Sequence, residues 1–182
     1  MLTPSKRFFL LVVMLLPTVG HLNAQPTADV RNVRWGFTPK QVKEAERAKP
    51  SSTKKDKVIY TQVPLVDRKV GLEYDFNGDS LLSASYYYYT TASITKDDVL
   101  AASVDFEALL TEKYGPGKAS FLGDIRNVVW LTPRTQISFS VGNVDKGWSL
   151  EVVYLCRVCS GQATKIEQSK TSWKPHKDIK DF

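Results

Sequence analysis

The chain predicts an α+β fold: an antiparallel sheet of about six strands with two helices on one face. Three observations carry that expectation. Two segments open with complete helix-capping chemistry, at Thr38-Pro39-Lys40-Gln41 and at Thr95-Lys96-Asp97-Asp98. Apolar residues recur with period two at Val70, Leu72, Tyr74 and Phe76, at Ile137, Phe139 and Val141, and at Trp148, Leu150, Val152 and Tyr154. Short turn signals separate these runs, at Asn77-Gly78, Thr132-Pro133-Arg134 and Gly142–Gly147.

Residues 1–24 read as a secretory signal peptide. Lys6 and Arg7 precede the apolar run Phe8 to Leu16. Pro17 and Gly20 break that run, and Leu22-Asn23-Ala24 offers a small-residue cleavage site before Gln25. The run is shorter than the ~20 residues a membrane span needs. The expected location is therefore the periplasm or the exterior, after cleavage near Ala24. No cysteine stands at that junction to take a lipid anchor.

Residues 25–159 then form one α+β domain, with halves at about 33–92 and 93–159. In the first half, Thr38 caps a helix with Pro39 at its first position, where a missing N–H costs nothing. Phe37 and Val42 have hydrophobic-staple spacing, and Pro50 sets the helix end near Ala48. Lys49 to Lys57 reads as a charged loop. Strands follow at Val58 to Val66, across Val70–Phe76, and from about Ser80 to Thr90.

The second half repeats this order. Val99, Ala102, Phe106, Leu109 and Leu110 recur at helical spacing after Thr95, and Gly115-Pro116 supplies a stop. After a glycine-containing loop come strands at 127–131, 135–141 and 148–155. Each half thus reads as one helix followed by about three strands. Residues 160–182 are polar and aperiodic, which predicts a flexible tail.

Of the 182 residues, 25 are basic and 19 acidic; without residues 1–24 the balance is 23 to 19, or +4. That mild charge fits weak contact with anionic surfaces, through Trp173, Lys174, His176, Lys177 and Lys180 of the tail if anywhere. It argues against nucleic acid as a partner of an exported chain without a basic motif helix. No second long apolar stretch follows residue 24, so no transmembrane segment is expected in the mature chain.

Gly36-Phe37-Thr38-Pro39-Lys40-Gln41-Val42 resembles the opening of SmpA/BamE-type envelope domains. The helix-plus-sheet order is similar to the tandem layout of the beta-lactamase-inhibitor-protein-like group. The resemblance implies an accessory or scaffolding role in the cell envelope, with another envelope or secreted protein as partner.

Two stretches carry the candidate chemistry. Cys156-Arg157-Val158-Cys159 ends a strand instead of opening a helix, where a dipole would lower a thiol pKa. A continuing strand would hold the two Cα atoms about 10 Å apart. A disulfide therefore needs a turn at Val158; free or intermolecular thiols and redox catalysis are the alternatives. Tyr86-Tyr87-Tyr88-Tyr89 alternates faces. A three-residue loop around Gly78 pairs even positions with even ones. Leu82, Ala84, Tyr86 and Tyr88 then face the helices, and Ser83, Ser85, Tyr87 and Tyr89 form an outward contact surface.

Asp75-Phe76-Asn77-Gly78-Asp79 lacks the spacing of a calcium loop, and Glu73, Asp75 and Asp79 read as solvated strand charges. His176 is the sole histidine after residue 24, too few ligands for zinc. No cofactor is expected. The chain reads as an exported, non-enzymatic interaction or scaffolding module; a thiol-redox protein using Cys156 and Cys159, or a small-ligand-binding protein, is the alternative.

Overall fold

The structure, a computed structural model, describes residues 28–144 and 147–159. The segments read as signal peptide (1–24) and tail (160–182) lie outside the described residues. The first half runs α1 (Pro39–Ala45), β1 (Ser52–Thr53), β2 (Lys57–Leu65), β3 (Arg68–Asn77) and β4 (Ser80–Tyr89). The second runs α2 (Lys96–Tyr114), β5 (Lys118–Leu122), β6 (Ile125–Leu131), β7 (Thr135–Val144) and β8 (Gly147–Cys156).

The expected six-stranded sheet is corrected to one of eight antiparallel strands, in the order β1-β2-β3-β4-β8-β7-β6-β5. Each half therefore supplies a helix and four strands, and the halves join where β4 pairs with β8. The two strands that the sequence does not announce go undetected for different reasons. β1 is two residues inside the charged loop. Every residue of β5 is exposed, so it shows no buried–exposed alternation.

Both helix starts form the capping boxes that their sequences encode. Thr38 accepts from the Gln41 backbone N–H, and the Gln41 side chain accepts from Thr38 N at 2.9 Å. The Asp98 carboxylate accepts from Thr95 N at 2.7 Å. α1 ends at Ala45, three residues before the expected stop. Glu46 turns to an extended conformation (φ −83°, ψ 125°) because its carboxylate is drawn into the core by Arg31 and Tyr74. Val99, Ala102, Phe106 and Leu110 of α2 are buried, while Leu109, expected on the same face, is 44% exposed.

One core lies between both helices and one sheet face. It joins Val42 of α1 and the buried face of α2 to Leu72, Tyr74, Tyr86, Val128, Ile137, Phe139, Leu150, Val152 and Tyr154. Trp35, just before α1, donates its indole N–H to Thr135 Oγ1 at 2.9 Å across the core edge. A bidentate pair from Arg126 of β6 to Glu107 (2.6 and 3.0 Å) ties α2 to the far side of the sheet.

The β3–β4 hairpin reaches its register by a different route from the one expected. Its turn has two residues, Gly78 and Asp79, with Gly78 at φ +59°. That turn alone would pair even with odd positions. A bulge between Asp75 and Phe76 restores the even pairing, so Tyr74 faces Ala84 and Glu73 faces Ser85. The bulge also corrects one assignment: Leu81, not Leu82, joins the helix-side core.

Candidate functional site

The sheet face away from the helices carries the serines and tyrosines singled out in the sequence, but the expected outward surface narrows to Tyr87 and Tyr89, because Ser83 and Ser85 are 0% and 3% exposed. Ser83, Ser85, Tyr87 and Tyr89 sit at successive alternate positions of β4, opposite Leu155, Val153, Glu151 and Ser149 of β8. Tyr87 and Tyr89 stack with ring centroids 6.1 Å apart and planes 17° apart. The pair lies near the end of the seam between the two halves, and Tyr89 is 50% exposed. Tyr86 instead packs edge-on against Tyr154 at 6.1 Å in the helix-side core, with Tyr88 partly buried on the same side.

This face has a polar anchor on β3. Lys57 donates to Glu73 and lies 3.0 Å from Asp75, while Ser83 Oγ donates to Asp75 at 2.7 Å. Burial alone would pull the Lys57 pKa down; the hydrogen bonds and charges of Glu73 and Asp75 outweigh it and hold the ammonium above its usual range. Glu73 and Asp75 are thus bound into a strand-to-strand network, and Asp79 occupies the hairpin turn. This arrangement locks charge in place; it does not set a free acid beside a free base.

Cys156 and Cys159 are joined by a disulfide, with Cα atoms 5.7 Å apart. The chain bends over Arg157–Cys159, after Arg157 N has bonded Arg134 O at 2.9 Å to close the sheet. Cys156 is 1% exposed and ends a strand. Neither solvent access nor a helix dipole favours a reactive thiolate there.

A second cluster escaped the sequence reading. Beneath α1, the Glu46 side chain is 2% exposed, and its carboxylate accepts from Arg31 Nε at 3.0 Å and from the Tyr74 hydroxyl at 2.5 Å. Tyr86 lies beside Arg31, and Tyr60 packs edge-on to Tyr74 at 6.0 Å. Burial, then the bond to Glu46, holds the Tyr74 hydroxyl far above its ordinary range. Burial likewise pushes Tyr86 up to about 12, against the opposing pull of Arg31. Burial and the Glu46 charge push Tyr60 up to about 12. The Tyr60 hydroxyl is buried with no hydrogen-bond partner among the described residues. A glutamate closing a short amphipathic helix gives no local pattern that separates a buried charge from a solvated one.

A cavity of about 260 Å³ lies beside the β6–β7 turn, lined in part by Asp29, Tyr114 and Arg134. Its charges are already matched, since Arg134 forks onto Asp29 at 2.7 and 3.0 Å. Among the described residues no group of three or more His, Cys, Asp or Glu side chains could hold a metal. No helix among them is long and apolar enough to cross a membrane. No family model, curated protein or solved structure matches the chain.

Proposed function

We propose that this chain is an exported, non-enzymatic interaction module of the cell envelope, and that it binds a protein partner through the sheet face opposite its helices. The observation that carries the reading is the Tyr87–Tyr89 stack on that face. Stacked tyrosines offer rigid apolar area with polar tips at small conformational cost, which suits a protein interface. Ser83 and Ser85, farther along the same strand, are buried, so the proposed contact rests on Tyr87 and Tyr89. The tandem helix-then-strands order also accords with the scaffolding role implied by the resemblance at Gly36–Val42.

The test is a cross-linked capture from the envelope of the producing cell, with Tyr87→Ser/Tyr89→Ser as the comparison. One stoichiometric protein partner, lost in the double variant while its folding persists, is the expected result. Retention of the same partner by a folded double variant removes this face from the function. A double variant that unfolds shows that the tyrosines serve stability instead.

A further inference from the structure

The two outer edges of the sheet differ. At one edge, β1 is two residues long, and β2 beyond it carries Pro64 and a bulge between Tyr60 and Val63, with Gln62 at φ +64°. Short strands, bulges and proline are devices that stop a sheet edge from pairing with another chain. At the other edge, β5 is a regular strand of five residues with no bulge and no proline, and all five are exposed. Phe121 is 71% exposed and Leu122 61%.

We infer that β5 is a homodimerisation edge, pairing antiparallel with β5 of a second copy about a two-fold axis through Ser120. The backbone supports this register. Leu122 and Ile125 flank a two-residue turn, so Leu122, Ser120 and Lys118 exchange their hydrogen bonds with β6. In an antiparallel ladder the intervening residues, Ala119 and Phe121, then point their N–H and C=O groups at the free edge. With Ser120 on the axis, Ala119 of one copy meets Phe121 of the other, which gives about four backbone bonds between the copies.

The side chains fit the same axis. Phe121 is opposed by the small Ala119, and both lie on the side of Arg126, whose guanidinium is 5.6 Å from the Phe121 ring. On the other side, Leu122 is opposed by the aliphatic stem of Lys118, and the two Lys118 charges stand at opposite ends of the seam. An isologous contact needs such self-complementarity. The product is a continuous sixteen-stranded sheet with the helices of both copies on one side. This surface is separate from the Tyr87–Tyr89 strip, so the two readings stand or fall independently.

Sedimentation equilibrium of the full chain, produced by export with residues 1–24 in its gene, tests the inference. A dimer at tens of micromolar is expected. Ala119→Pro removes an outward N–H without touching the β5–β6 bonds, and should give a folded monomer whose melting temperature no longer depends on protein concentration. Should that variant fail to fold, Ser120→Cys decides the matter. The two Ser120 positions form a non-hydrogen-bonded pair with Cα atoms about 4.5 Å apart, so air oxidation should link two copies covalently. Val104→Cys, exposed on α2, should stay uncrosslinked under the same conditions. A chain that is monomeric at every concentration, a dimer indifferent to Ala119→Pro, or equal cross-linking of the two cysteine variants overturns the inference.

Discussion

The ring of Tyr87 lies directly over Gly71, its cross-strand partner: a Cβ at position 71 would stand 2.0 Å from Cε2 and Cζ of that ring. The glycine gives up side-chain packing in the middle of β3, and the tyrosine fills the space from β4. The same contact fixes the ring in the orientation that stacks on Tyr89. Gly71→Ala should therefore expel the Tyr87 ring and break the stack. Its net cost should be about 1–3 kcal/mol, typical of overpacking, less the small gain from replacing a strand glycine. Urea unfolding measures the cost, and near-ultraviolet circular dichroism reports the tyrosine environment. An unchanged spectrum and midpoint would show that the ring does not rest there.

Tyr60 and Tyr74 are buried neighbours with opposite hydrogen-bond states. Tyr74 donates to the Glu46 carboxylate, whereas the Tyr60 hydroxyl has no partner among the described residues. Tyr74→Phe should cost about 1.5–3 kcal/mol, the range for a bond to a charged group. Tyr60→Phe should be neutral or stabilising, because it removes a buried polar atom that gains nothing. Denaturant midpoints of the two variants decide this. Equal losses would mean that Tyr60 has a polar partner of its own.

Much of the architecture was written locally, and these two contacts show where that stops. The capping boxes at Thr38 and Thr95 depend on residues three apart, so both helix starts could be read directly. The alternation in β3 and β7 likewise records which side chains face the core. Glu46 was not legible, because its partners stand 15 and 28 residues away in sequence. Nothing around it distinguishes a clasp from a solvated helix end. β5 was missed for the opposite reason, since an edge strand exposed on both faces leaves no alternation to detect. The tyrosine strip depended on hairpin parity, which the turn sets one way and the bulge at Asp75–Phe76 reverses.

The Cys156–Cys159 bond closes a very short loop at the end of the central strand β8. Loop-closure reasoning gives a stabilisation of about 2 kcal/mol for so small a ring. Cys156→Ser/Cys159→Ser should lower stability by about that much or more, because a serine at 156 would place a hydroxyl in the core. Mass spectrometry of the untreated protein should show two hydrogens fewer than the reduced chain. Alkylation of both sulfurs without reductant, or an unchanged urea midpoint in the double variant, would show that the bond is absent or idle.

Alkaline pH should destabilise the fold over a defined window. Tyr60 and Tyr86 are both pushed up to about 12 in the folded state, from an ordinary value of 10.0. The unfolded chain therefore loses these protons first. A raised folded pKa contributes stability that is complete below the unfolded value and is lost as pH rises towards the folded one. Lys57, held above its usual 10.5 by Glu73 and Asp75, acts in the same direction. Urea midpoints should thus be level up to pH about 10 as far as these groups are concerned, and should fall between about 10 and 12. Tyr74 and Tyr154, raised further by burial, act in the same direction, and Tyr60→Phe removes one of these several contributions and should make the fall shallower. A midpoint that stays constant from pH 9 to 11.5 would show that the tyrosines beneath α1 reach solvent and ionise as freely in the folded chain as in the unfolded one.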